Sequence, residues 1–118
     1  MDTRNKILSR DAAPRGCTVV TGAFDVMLAA DARQLAGIRE SHPDRPILVV
    51  VLPLPEELLP QRARAELVAA LRMVDYVVTA DDDALLASLE PAQLVRLEEV
   101  HAARKRQLME HVHRRQTS

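Results

Sequence analysis

Residues Thr18 to Asp25, TVVTGAFD, set a short β-branched run against a glycine and then a carboxylate. That spacing places Asp25 just beyond the end of a buried strand. Open α/β sheets bind ligands there, outside the carboxyl ends of their strands. A carboxylate at that edge can orient a cation or a substrate hydroxyl, and it can equally satisfy the backbone amides of the strand-to-helix turn. Thr21, Gly22, Ala23 and Phe24 form the approach to the turn, with Gly22 suited to a tight strand exit. The helix that follows offers free amides to a phosphate. A single glycine is not the repeated-glycine fingerprint of a dinucleotide site or a P-loop. Arg62 and Arg64 open a later helix facing the same edge. A guanidinium there can meet a phosphate, or lie on the surface with its stem packed down.

Other reactive side chains are less well arranged. Asp81, Asp82 and Asp83 could suggest magnesium, but a run of carboxylates at a helix start caps the helix and solvates it. His42, His101, His111 and His113 show neither an HExxH spacing nor neighbouring cysteines, so no metal site is expected. Cys17 is the sole cysteine, which rules out an intramolecular disulfide and fits a reducing compartment. At the head of an apolar run it reads as a structural residue.

The chain that must position these groups has 118 residues, the size of one domain. Phe24 and Tyr76 are its only aromatic residues, so the core is built from Leu, Val, Ala, Ile and Met, and few side chains could stack bases. Sixteen Lys plus Arg balance seventeen Asp plus Glu, for a net charge of -1. Such a chain has no overall field for a polyanion, and nucleic acid is not expected as a partner. No apolar run approaches the ~20 residues needed to span a membrane, and the charged N-terminus does not read as a signal peptide. A cytoplasmic protein is expected, without membrane contact.

Residues 1–15 read as a lead-in segment and 16–118 as one α/β domain. CTVVT is the first strand, and LAADARQLAGIRE a helix with Leu28, Ala32, Leu35 and Ile38 on one side. ILVVV, nearly all β-branched, suits a central strand covered on both faces, as in a parallel sheet. Pro53, Pro55 and Pro60 confine a loop, after which QRARAELVAALRM forms a helix with Leu67, Leu71 and either Ala70 or Val74 inward. DYVVT is a third strand, and ADDDALLASLEP contains a short helix. QLVRL fits a fourth strand, yet Leu94, Leu97, His101, Arg104 and Leu108 also form a helical row. The alternation gives a three-layer Rossmann-like sandwich, with a mostly parallel sheet of four or five strands flanked by helices.

With these residues in place, the chain resembles the cytidylyltransferase-like nucleotidyltransferases, most closely the ADP-heptose synthase and glycerol-3-phosphate cytidylyltransferase group. TGAFDVM at 21–27 and RAELVAALRMVDYVV at 64–78 carry the resemblance, which extends over most of residues 16–97. It implies a pocket for CTP or ATP with magnesium, contacted by Thr21, Gly22, Ala23, Phe24, Asp25 and Arg64. Asp75 matches a strand-start aspartate of the family. The family's signature has a histidine, one residue, a glycine and a second histidine soon after the Phe-Asp turn. Those histidines stabilise charge on the phosphates as pyrophosphate departs.

Here Leu28, Ala30 and Asp31 occupy the histidine, glycine and histidine positions. Leucine donates no hydrogen bond, and Asp31 adds a negative charge beside a triphosphate. The family's phosphate-approaching lysine also lacks a counterpart, since no lysine falls between Lys6 and Lys105. The expectation is a degenerate nucleotidyltransferase-like domain without catalytic residues, retaining weak nucleotide binding or a regulatory or assembly role toward a protein partner. The alternatives are an active enzyme using Arg62, Arg64 and Asp25 with magnesium, and a structural homodimer whose interface comes from the last segment.

Overall fold

The computed structural model describes residues 3–25, 29–54, 58–80, 84–98 and 106. Four strands, β1 (Thr18–Gly22), β2 (Ile47–Val51), β3 (Tyr76–Thr79) and β4 (Gln93–Arg96), form one all-parallel sheet in the order β3-β2-β1-β4. Helices α1 (Ala29–Ser41), α2 (Gln61–Ala69) and α3 (Ala84–Leu89) alternate with them. This is the α/β class read from the sequence, compatible with a Rossmann-like sandwich, and among the described residues the sheet has four strands.

Strand β2 shows why the sequence folds this way. All five of its residues are buried, and their side chains alternate between two separate clusters. Ile47, Val49 and Val51 join Val20, Leu35, Ala65 and Val68 on the face covered by α1 and α2. Leu48 and Val50 join Val19, Val78, Leu85, Leu86 and Leu89 on the face covered by α3. A strand that must fill two cores has no room for polar residues on either face, hence the continuous apolar run. Asp75 fixes the start of the neighbouring strand: its Oδ2 accepts from the Ile47 amide (2.9 Å) and from Arg39 Nη1 of α1 (2.9 Å). The role of Asp75 in the fold is structural, at the edge of the sheet where strands begin.

QLVRL resolves as strand, with Val19 opposite Leu94 and Val20 opposite Val95. Parallel pairing to β1 supplies hydrogen bonds that a short helix in isolation would have to make by itself, so tertiary context decides where periodicity could not. The rest of the helical row, His101, Arg104 and Leu108, lies outside the described residues.

Two sequence expectations shift. In α2 the inward residues are Arg64, Ala65, Val68 and Ala69, whereas Leu67 is 44% exposed. The helix is rotated relative to the leucine-based reading because the small Ala65 and Ala69 let it lie close to the sheet, and Val74 rather than Ala70 completes the packing. The lead-in is more than a tether. Two 3-10 turns, Thr3–Lys6 and Arg10–Ala12, flank a bridge from Ile7 to Val77, and the Leu8 amide donates to the Val77 carbonyl at 2.8 Å. Ile7 packs on one core and Leu8 on the other, so the segment straddles the outer edge of β3.

Candidate functional site

In the order β3-β2-β1-β4 the chain builds outward from β1 through β2 to β3, then α3 carries it back to the other side of β1. The reversal lies between β1 and β4. Ligands of open parallel sheets bind in the crevice at that point, outside the strands' carboxyl ends. The candidate residues lie along this edge.

Phe24 sets the exit from β1. It adopts φ +53°, in the left-handed region, with its ring 1% exposed. Gly22, expected to make that turn, instead completes β1, and its carbonyl accepts from the Leu52 amide at 2.9 Å. A bulky residue with positive φ carries a strain of order 1–3 kcal/mol. Burial of the aromatic ring against Leu35, Val51 and Ala65 holds it there.

The turn aims Asp25 across the edge toward the loop before α2. Its Oδ1 accepts from the Leu58 amide (2.9 Å) and the Leu59 amide (2.8 Å), and its Oδ2 also accepts from Leu58 (2.8 Å). Asp25 thus satisfies backbone amides, though of the facing β2–α2 loop and not of its own turn.

Arg64 reaches the same place from α2. It is 0% exposed. Its Nη1 donates to the carbonyls of Ala23 and Leu52, each at 2.8 Å, and its Nε to the Leu59 carbonyl at 3.1 Å. The guanidinium therefore ties the end of β1 to the end of β2. One turn earlier, Gln61 Nε2 donates to the carbonyls of Val51 (2.9 Å) and Ala80 (2.8 Å), tying the end of β2 to the end of β3. Arg62 lies elsewhere, exposed and 3.5 Å from Glu66.

At the reversal point itself the Thr21 hydroxyl donates to Glu98 Oε2 at 2.6 Å, and Arg96 Nη1 lies 3.3 Å from Glu98 Oε1. Burial pushes the Glu98 carboxyl up. Hydrogen bonds from Thr21, its own backbone amide and Arg96, together with the Arg96 charge, outweigh that effect and hold it below its ordinary value of 4.5. A carboxylate held below its ordinary value is ionised at neutral pH, and the Arg96 guanidinium beside it balances its charge.

The structure thus brings Ala23, Asp25 and Arg64 together around the β2–α2 loop, and turns Thr21 the other way, to Glu98. Each gap between neighbouring strands is bridged at the carboxyl edge by a polar side chain: Gln61 for β3 and β2, Arg64 for β2 and β1, Thr21 with Glu98 for β1 and β4. Sequence reasoning missed two members. Gln61 carried a usable signal, three residues before Arg64 and therefore on the same side of the helix. Glu98 lies two residues beyond the end of β4 and belongs to no motif in the sequence.

Asp31 lies in the first turn of α1, 2% exposed. Leu28, the other histidine-position residue, and the triad Asp81, Asp82 and Asp83 lie outside the described residues, as do His101, His111 and His113. Cys17 is 1% exposed, and burial, with the Asp75 charge beside it, pushes its thiol up. A thiol held protonated is a poor nucleophile. Among the described residues no group of three or more His, Cys, Asp or Glu side chains is placed to hold a metal ion, and no helix is long and apolar enough to cross a membrane. No protein-family model matches the chain, and no curated protein matches it.

Proposed function

We propose that the chain is a nucleotidyltransferase-like domain that has lost nucleotidyl transfer and serves as a regulatory or assembly module, with at most weak nucleotide binding. The observation that carries this reading is the use of the carboxyl edge. Arg64, the guanidinium expected at the phosphates, is buried and donates to three backbone carbonyls. Asp25, expected at the metal or the substrate, accepts from two backbone amides. Glu98 is engaged by Thr21 and Arg96, and Leu28 and Asp31 occupy the sequence positions of the family's charge-stabilising histidines. Removing a single electrostatic donor commonly lowers the rate a hundredfold or more. Several such losses together leave a reaction with no group to stabilise the departing pyrophosphate.

The test is calorimetric titration with CTP and ATP, with and without magnesium, alongside an assay for pyrophosphate release with phosphorylated sugar and alcohol acceptors. The expected result is no turnover and no saturation at micromolar nucleotide. Metal-dependent release of pyrophosphate that vanishes in Arg64→Ala, in a variant still folded by circular dichroism, would overturn the proposal in favour of an active cytidylyltransferase-type enzyme.

A further inference from the structure

At the outer edge of β3 the chain seats an extended segment of its own, and the seated residues show what that edge accepts. Ile7 forms a parallel bridge with Val77, and the Leu8 amide donates to the Val77 carbonyl at 2.8 Å. Neighbouring side chains of an extended chain alternate, so Ile7 packs against the core that holds Val74 and Val77, and Leu8 against the core that holds Val78. Just before them, Lys6 Nζ donates to the Leu71 carbonyl at 3.1 Å, two residues past the end of α2. Carbonyls at a helix C-terminus favour a cation. The edge therefore receives a cation followed by two apolar side chains, one for each core.

This occupant uses a small part of the edge. Pairing groups two residues apart point to the same side of a strand, so Thr79 faces outward as Val77 does. Thr79 is exposed, and among the described residues the bridge stops at Val77, because the segment turns away into the 3-10 turn Arg10–Ala12. Neither of the segment's 3-10 turns contains a buried residue. Ordering the segment for two half-buried apolar side chains costs much of what those contacts return, which places it at the low-stability end of the fold.

We infer that the outer edge of β3 is a strand-addition site for a protein partner, and that residues 6–8 occupy it as an internal competitor. The partner's segment is extended and carries a basic residue followed by two aliphatic ones. Strand addition takes its affinity from main-chain hydrogen bonds and its specificity from sites for alternate side chains. A strand that runs straight on past its second aliphatic residue also pairs with Thr79, which the chain's own segment does not. That added pairing lets an outside strand displace one that is covalently attached. An acidic residue in place of the basic one would face the Leu71 carbonyl and be rejected.

The probe is a synthetic peptide in which the sequence of residues 4–8 is followed by Val-Thr-Val-Thr, in place of the turn that begins at Ser9. It is titrated into the full chain labelled with ¹⁵N. Expected are saturable shifts at the amides of Leu71 and residues 76–80, while the amides of residues 3–12 move together to disordered positions. The same peptide with aspartate at its two aliphatic positions is expected not to bind. In the full-length Ile7→Ser/Leu8→Ser variant the internal competitor is weakened and the open edge more populated, so the peptide binds about tenfold more tightly or better. The inference is overturned by the absence of saturable shifts in parent and variant, by shifts that leave residues 76–80 unmoved, by equal binding of the aspartate peptide, or by equal affinity of parent and variant. A dimer of the variant, seen by sedimentation and left intact by excess peptide, assigns the edge to a second copy and overturns it as well. If the variant does not fold, the parent decides alone: displacement of residues 3–12 supports the inference and its absence overturns it. Failure here is distinguishable from failure of the proposed function, because nucleotide binding would shift residues 21–25 and 58–64.

Discussion

Arg64 shows how one side chain can look like a ligand-binding residue and act as a girder. An arginine at a helix start facing the ligand edge of a sheet is well placed for a phosphate, and the same geometry places it over the carbonyls at the ends of two strands. Total burial and three donations to backbone carbonyls put it in the second role. Arg64→Met keeps much of the stem and leaves those carbonyls without their partner. At about 1–3 kcal/mol for each buried group left unsatisfied, the variant loses on the order of 3 kcal/mol or more. Urea denaturation checks this: the midpoint falls while the slope stays near that of the parent chain. A loss below about 0.5 kcal/mol, the range of surface substitutions, would mean that the guanidinium is dispensable to the fold. The sequence identified Arg64 and Asp25 as belonging to one edge, because strand ends and helix starts are legible from turn chemistry. It left open whether they face a ligand or the backbone, since that depends on where the β2–α2 loop lies. Leu58 and Leu59 supply the decisive amides, and nothing in their residue types announces it.

Among the elements, β4 is the one whose identity changes the reading of the site. Its helical and extended patterns are equally good over five residues, and pairing with β1 settles the matter. By contrast β2 was plain in the sequence, because filling two cores leaves an unbroken apolar run that few other structures require. Once β4 is a strand, Glu98 falls at its carboxyl end beside Thr21 and links the outermost strand to the interior of the sheet. The pH dependence of that link has a definite sign. The Glu98 carboxyl is held below its ordinary value in the fold, so the folded state favours its ionised form. The stabilisation is fully present above about pH 4.5, and is lost as pH falls through the lower folded value. Thermal melts over this range for the parent, Glu98→Gln and Thr21→Val are therefore expected to differ most near neutral pH and to converge in acid. Parallel pH profiles for the parent and Glu98→Gln would exclude a link that depends on the charge. The N-terminal segment does for β3 what no motif foretold: Ile7 and Leu8, two apolar residues in an otherwise polar stretch, cover the strand's outer edge. An exposed strand edge invites pairing with other chains, and covering it is one of the standard remedies.

At the scale of the molecule, the two edges of the sheet divide the polar side chains between them. The carboxyl edge is cross-braced strand by strand, and the amino edge carries an open groove beside the buried Thr18. On the proposed reading, this division bears on whether nucleotidyl transfer would follow from introducing the histidines of the nucleotidyltransferase signature. Leu28→His/Asp31→His introduces two potential phosphate donors and removes one carboxylate. Yet Arg64 would remain bound to carbonyls, Asp25 to amides, and Glu98 to Thr21 and Arg96 at the reversal point between β1 and β4. Preorganised donors are effective only when aimed at the charge that develops, and histidines alone do not redirect the others. The double variant is accordingly expected to fold less stably than the parent, since Asp31 is 2% exposed and an imidazole is larger, and to release no pyrophosphate from magnesium CTP or ATP. A coupled assay sensitive to single turnovers decides the point. Measurable release would mean that the braced edge can open around a nucleotide, and that histidine loss alone silenced an otherwise complete site. Continued silence in a folded variant would mean that two histidines do not suffice at an edge whose other polar side chains hold the strand ends together.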